Sequence, residues 1–541
     1  MRQTGRLAIL LALAGALDAA TRSFDVVVYG GTAGGVMAAV SAARQGLRTA
    51  LVEPAGHLGG MVSGGLGWTD YGKKEVVGGF ALEFYWRVGV HYGMSRYGNE
   101  VAWLHEPHVA EAIFREMLDA AGVSVFERQR LREKNGVRKD GTTIAAITTE
   151  DGSEFTAPVF IDAGYEGDLM AQSGVTWTYG REGVSQYGET LAGVREKTPF
   201  HQFLVDVDPK GATGSLLPEI SAAKLEPAGS PDKKVQAYNY RMCFSDLPEN
   251  RRAWSKPARY DAARYTLLAR LIAAQVKKEG HTPPLSTYLK IDRLPNGKSD
   301  VNNNGAFSTD YIGGSYDYPN ASYARRAEIW QAHRDYIAGL LYFLASDPQV
   351  PDALRREMNQ WGLCRDEFTD NDNWPTQLYI RESRRMVGEY VVVQKDLQTD
   401  LAKPDPIGMG SYNSDSHNIQ RIVDADGFVR NEGDMQVAVK PYQIPYRVML
   451  PKRAEATNLL VTAAFSASHV AYSSIRMEPQ YMIIGQAAGV AAKLEIASGK
   501  PVQEIDTARL TGILRLQGAV MEYTPNAQLP ILQIIRRPGV R

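Results

Sequence analysis

The residues best suited to chemistry in this 541-residue chain fall into two groups. The first is a glycine turn, Gly30, Gly31, Thr32 and Gly35, followed by the acid Glu53. Glycines at such a turn bring backbone N–H groups and a helix N-terminus up to a pyrophosphate, and an acid about twenty residues on accepts ribose hydroxyls, so the spacing predicts a dinucleotide site. Thr32 stands where the second glycine usually gives phosphate its closest approach. The second group comes late: Arg384 in Tyr379–Arg385, His417 in Ser411–Arg421, and His469 and Arg476 after Ser466. A neutral imidazole accepts an alcohol proton near neutral pH, which makes His469 and His417 candidate bases. Arg384 and Arg476 are candidates to hold an anionic oxygen.

The elements that must position these residues follow the same order. Val26–Tyr29 reads as a strand buried on both faces, Ala38, Ala39, Ala42 and Ala43 as the close-packing face of a helix, and Arg48–Val52 as a second strand ending at Glu53. His57–Gly72 is too glycine-rich for a helix or packed strand, so Gly59, Gly60 and Gly64 are expected beneath a flat flavin ring. His57, just ahead of that loop, is a minor candidate for covalent attachment. Glu106–Ala121 predicts a packing helix, and Val123–Phe126, Ile144–Thr149 and Glu154–Thr156 predict a β-meander. A buried strand returns at 158–162 and ends on Asp162, a further candidate cofactor residue. Near the end, the strand Asn458–Thr462 leads through Ser466–His469 into a small-residue helix carrying Gly485 and Gln486, both assigned to the cofactor.

The fold expected is α/β. A Rossmann-like lobe over 24–175 is completed by a return segment at 439–500, and a large inserted α+β substrate lobe occupies 176–438, with a C-terminal extension at 501–541. The insert holds a polar, aromatic stretch, Asp300–Pro319, read as a loop, and a helical stretch at 323–345.

A net charge of −1 argues against a nucleic-acid partner recognised by phosphate neutralisation. Two cysteines, Cys243 and Cys364, are too few for an iron–sulfur cluster or a cysteine zinc site, and no metal site is expected. They read as buried thiols, with a disulfide left open. Arg2 and Arg6 ahead of the apolar run Leu7–Leu17 have the order of a secretory signal over 1–20, too short to span a bilayer, with an uncleaved anchor or packing helix as the alternative. Export and a mature start between Leu17 and Thr21 are the expectation, with no integral membrane span.

The motifs YGGTAGG, LGGMVSGGLG, FIDAGYEGDL, LYIRESRRMVGEY, SDSH, IPYRVMLPK and SASHVAYSSIRMEPQYMIIGQAAG together resemble the FAD-dependent oxidoreductases of the glutathione-reductase-like superfamily, in the group that includes the flavin domain of heterodisulfide reductase. The resemblance implies FAD at Gly30, Gly31, Gly35 and Glu53, with Gly59–Gly65 at the ring and the helix near Gln480 facing its pyrimidine end. The chain departs from that group in lacking cluster-binding cysteines, and in having Ala163-Gly164-Tyr165 where an alanine-threonine-glycine turn is usual. The expected activity is hydride transfer to flavin from a polar, carbohydrate-like small molecule, with the electron acceptor unspecified. An NAD(P)H-using flavin reductase is disfavoured because no second glycine-rich βαβ turn appears. A flavin-holding or carbohydrate-binding protein without turnover stays open.

Overall fold

The computed structural model describes residues 20–94 and 101–531. The predicted export signal before Ala20 lies outside the described residues. At the centre is a five-stranded parallel sheet. Strand β1 (Val26–Tyr29) leads into helix α1 (Ala33–Arg44) and returns as β2 (Thr49–Val52). Helices α2 (Gly79–His91) and α3 (Pro107–Ala121) precede the short β3 (Ser124–Phe126), and β4 (Val159–Asp162) is followed by α4 (Asp168–Gln172). After the inserted lobe, which contains the long helix α5 (Tyr323–Ser346), the chain returns as β5 (Leu459–Val461), α6 (His469–Ile475) and α7 (Glu478–Ser498). The spatial order is β5–β4–β1–β2–β3, every pair parallel. Because α1 and α7 cover one face and a small β-meander with α4 covers the other, the strand residues of β1, β2, β4 and β5 are all buried, as their continuous apolar runs require.

Small residues explain how α1 and α7 lie together on this sheet. A Cβ placed on Gly485 would stand 2.0 Å from Gly34 O, and one on Gly489 would stand 2.5 Å from Ser41 Cβ. Only glycine lets the two backbones come so close. Helix α3 starts with Pro107 in its first turn and stops at Gly122, whose φ of 71° is left-handed.

Two readings of the sequence are corrected. Ser124–Phe126 is not part of the meander: it pairs in parallel with β2, Ala50 opposite Ser124. The meander is made by Val137–Asp140, Thr143–Thr148 and Glu154–Thr156, with Thr21–Ser23 added in parallel at its edge. Likewise, Asp300–Asn303 is not loop. It lies in the strand Lys298–Asn303 of a five-stranded antiparallel sheet in the inserted lobe, where Asp300 is buried against Arg241 at 2.6 and 2.8 Å. The same sheet sets Cys243 beside Cys364 on neighbouring strands, both buried, with Sγ atoms 2.7 Å apart.

Candidate active site and cofactor cavity

In a parallel sheet the carboxyl ends of the strands share one edge, and ligands bind there. Here that edge gathers Gly30 after β1, Glu53 after β2 and Ala163-Gly164 after β4. Gly30 has φ +101°, and a Cβ on it would lie 2.6 Å from Gly164 N. Gly35 is tighter still, its Cβ position 1.9 Å from Gly30 O. Thr32 caps α1. Its Oγ1 accepts from Gly35 N at 3.1 Å and donates to Ala163 O at 2.8 Å, so the hydroxyl that departs from the glycine pattern ties β1 to the turn after β4. Glu53 accepts from Gly31 N at 2.5 Å and from Ala55 N at 2.6 Å, and burial pushes its carboxyl up to about 7.

These groups border a cavity of about 150 Å³ lined by Gly30, Thr32, Glu53, Gly60, Gly164 and Tyr165. Gly59 fixes the glycine loop to the turn by donating from its N–H to Gly31 O at 2.7 Å, and Gly60, at φ +55°, lines the cavity itself. The narrow turn, the free helix start and the terminal acid fit the pyrophosphate and ribose of a dinucleotide. Gly30 and Thr32 would face the phosphates and Glu53 the ribose, while Gly31, its N–H taken by Glu53, does not line the cavity. The cavity shares Tyr29, His57, Glu166 and Asp168 with a larger one of about 590 Å³, whose far wall is the inserted lobe.

Other predicted cofactor residues lie elsewhere. Gly64 packs against Gln377, its Cβ position 2.4 Å from Gln377 Cβ. Asp162 holds the turn after β4, accepting from Gly164 N at 3.0 Å and Met170 N at 2.7 Å, with its carboxyl pushed by burial to about 7. Gly485 serves the crossing of α1 and α7. Gln486 accepts from Phe80 N at 2.9 Å and donates to Gln517 Oε1 at 2.7 Å, tying α7 to α2 and to the C-terminal segment. None of these four lines either part of the cavity.

Three of the four candidate catalytic residues meet in one buried polar network outside the cavity. His469 Nδ1 lies 2.8 Å from Glu382 Oε2, and the His469 backbone N–H donates to Glu182 at 2.8 Å. Burial, with Arg385 beside it, drives its imidazole down to about 3. Gln236 spans from Glu382 to the His417 backbone N–H at 3.0 and 3.1 Å. His417 Nδ1 lies 2.7 Å from Asp310, which also pairs with Arg381 at 3.0 Å. Against burial, His417 and Arg381 hold the Asp310 carboxyl down at about 2. Arg476 donates to Asp415 O at 2.8 Å, and Asp415 lies 3.8 Å from His417 Nε2. Arg384 instead reaches the cavity wall, donating to Asp168 at 2.6 Å and lying over the Trp177 ring.

Sequence reasoning missed the residues that tie the cavity rim to the start of α7. Tyr165, in the atypical turn after β4, accepts from Met61 N at 2.9 Å and donates to Glu478 Oε1 at 2.8 Å. Glu478 begins α7 and borders a closed chamber with Thr69, Tyr85, His105 and Tyr379. The signal was there in Arg476-Met-Glu478-Pro479, where an acid and a proline mark a helix start. Nothing in that spacing tells that the acid is buried.

One further cluster has spacing for a metal, Glu106, His108 and Glu367, but Lys298 Nζ already pairs with both carboxylates at 2.7 and 2.6 Å. No helix among the described residues is long and apolar enough to cross a membrane.

Residues 25–514 match the family model described as FAD dependent oxidoreductase. No curated protein matches the chain. Among solved structures it is similar to a geranylgeranyl bacteriochlorophyll reductase-like protein from Thermoplasma acidophilum at 10% identity, TM-score 0.34, over 95% of this chain and 96% of that one. It is also similar to an L-amino acid deaminase from Proteus vulgaris (17%, TM-score 0.22, 30% of this chain and 60% of that one) and to OxyS anhydrotetracycline hydroxylase from Streptomyces rimosus (12%, 0.23, 34% and 41%). The match spans less than two thirds of the length of the latter two.

Proposed function

The chain belongs to the FAD dependent oxidoreductase family, and from that premise we propose that it is an exported enzyme oxidising a polar, hydroxylated small molecule of carbohydrate type. The observation that carries the substrate class is the wall of the larger cavity. Tyr240, Tyr318, Trp330 and Trp374 supply flat apolar faces, and Arg334 and Asp370 supply charged hydrogen-bonding groups beside them. Such a mixture stacks on the C–H faces of a polyol ring while bonding its hydroxyls. Bound FAD supplies hydride acceptance.

The chain's own residues bind, orient and move the proton. Glu166 lines both parts of the cavity and accepts from Tyr318 Oη at 2.7 Å. Burial, with Asp168 beside it, holds its carboxyl above its ordinary range against the pull of Arg326. A raised carboxylate at a cavity wall suits proton acceptance from a substrate hydroxyl. His417 and His469 would act only through the buried network they share. His57 lies 3.1 Å from Glu111 and 3.0 Å from Asp370, and its bond to Glu111 raises its pKa, which favours a charged donor at the rim over a flavin-linked imidazole.

The test is anaerobic mixing of the FAD-loaded protein with sugars, hydroxy acids and amino acids while flavin absorbance is followed. Bleaching by hydroxylated compounds is expected, and Glu166→Gln should slow it by about 10²- to 10⁴-fold at unchanged flavin content. Bleaching by NAD(P)H alone would sink this substrate class. Export rests on the order of Arg2, Arg6 and Leu7–Leu17. N-terminal sequencing of native protein tests it, and a retained Met1 counts against it.

A further inference from the structure

The only two cysteines of the chain stand 121 positions apart in sequence and meet in one sheet of the inserted lobe. Its strands Met242–Ser245 and Gly362–Cys364 are antiparallel neighbours, with Phe244 opposite Leu363 and Ser245 opposite Gly362. One step further along that register, Cys243 faces Cys364. Facing residues of an antiparallel pair put their side chains on the same face, with Cα atoms about 4.5–5.5 Å apart. A disulfide joins Cα atoms about 4.4–6.8 Å apart, so the strand pairing itself supplies the spacing of a bridge, with no movement of either strand. Both residues are thiols in this structure, with their Sγ atoms 2.7 Å apart.

The surroundings of the pair leave little other use for it. Neither cysteine lines either part of the cavity, so neither meets a substrate or cofactor there. The one group with metal spacing among the described residues, Glu106, His108 and Glu367, includes neither. Both cysteines are buried, and burial pushes the Cys243 thiol up, away from the thiolate that a nucleophile needs. What the position suits is a bond between the two sulfurs. With no third cysteine in the chain, that is also the only intramolecular pairing available.

We propose that Cys243 and Cys364 form a disulfide that staples the inserted lobe when the chain folds in an oxidising compartment. The S–S bond forms as both S–H bonds break, and the two protons and two electrons pass to an external disulfide such as oxidised glutathione, which leaves as two thiols. Because the finished sheet buries both sulfurs, the exchange takes place before the sheet closes. The folded lobe then shields the bond from reductant. The bridge closes the segment 243–364, which carries Tyr318, Trp330 and Arg334 on the wall of the larger cavity. Tying the ends of so long a segment restricts the unfolded chain and so favours the folded lobe.

The proposal shares with the export reading only the oxidising compartment, and the test keeps the two apart. FAD-loaded protein, secreted into a bacterial periplasm behind a substituted leader, is unfolded in urea with an alkylating reagent and weighed by mass spectrometry. A second preparation, refolded with FAD from the reduced chain in a glutathione redox buffer, is treated alike, and either preparation decides the matter alone. No alkyl group should be taken up before reduction, and one at each cysteine after it. A digest made without reductant should hold the Cys243 and Cys364 peptides joined, two hydrogens lighter than their sum. The urea midpoint of the wild type should fall when reductant is added, while that of the double variant Cys243→Ala, Cys364→Ala should not respond. Free thiols at both positions in FAD-loaded protein, or a wild-type midpoint blind to reductant, overturn the assignment. Native protein that keeps Met1 overturns export alone, because both preparations read the pairing without the chain's own leader.

Discussion

At the scale of single residues, type and spacing mark the turn at the sheet edge but not the depth at which the candidate bases lie. Gly30, Gly35 and Glu53 could be read because a turn, a close approach and a strand end each demand a particular residue at a particular step. His469 and His417 offered only their chemistry, and a histidine's use depends on burial, which neighbours hundreds of positions away decide. His469 meets Glu382 and Glu182 in a dry network and is held neutral, its pKa about 3 against about 6.5 when unfolded. The sign of the linkage follows. Between those values the unfolded chain binds the extra proton, so this contribution to stability is complete above about pH 6.5 and is lost as pH falls toward 3. His469→Asn should therefore be less stable than wild type at pH 7, through its lost bond to Glu382, and the gap should narrow at pH 5. Urea midpoints at the two pH values measure it. A gap that widens on acidification would show that His469 is charged in the folded protein.

At the scale of elements, the parallel sheet was legible and the purpose of its last helix was not. Short apolar runs ending in glycine or an acid identify β1, β2 and β4, since strands covered on both faces have little room for polar residues. Val123–Phe126 is legible as a strand but not as part of this sheet, because so short a run carries no period and its place is set by pairing with β2. The glycines of α7 were visible as small residues, yet spacing alone cannot say whether a cofactor or another helix needs the room. The structure gives the room to α1, with Gly485 against Gly34 O and Gly489 against Ser41. Gly485→Val should then force the two helices apart and lower the melting temperature, with overpacking costing about 1–3 kcal/mol or more. The folded fraction should keep its FAD, because Gly485 lines no part of the cavity. Gly35→Val, at the turn itself, should lose FAD as well as stability. Melting curves and flavin-to-protein ratios separate the two outcomes, and a stable Gly485→Val protein lacking FAD would return that residue to the cofactor site.

At the scale of the whole molecule, the long break in the strand–helix pattern between β4 and β5 is legible as a change of pattern, while the position of that segment over the cavity depends on contacts no local pattern encodes. One of these is made at Asp168, the first residue of α4, just beyond the turn that follows β4. Arg326 of α5 holds its two oxygens at 2.7 and 3.0 Å, and Arg384 donates to one of them at 2.6 Å. Both guanidinium groups are largely buried, and against the burial of Asp168 they hold its carboxyl below the ordinary range. One carboxylate thus pins two segments of the inserted lobe to the edge of the sheet where FAD must enter and leave. Asp168→Asn would remove the charge and leave two buried guanidinium groups without their shared counter-charge, a loss of about 3–5 kcal/mol by analogy with broken buried ion pairs. The lowered carboxyl also fixes the pH sense: its contribution is present above the unfolded value of about 3.9 and is lost as pH falls through the lower folded value. Since the pin joins the lobe to the cavity rim, the variant should release FAD faster at temperatures well below its melting point, and protease should cut it sooner in the inserted lobe. Release is followed by the rise in flavin fluorescence after dilution. A lowered melting temperature with wild-type FAD release would mean that the ion cluster stabilises the fold without governing entry to the cavity.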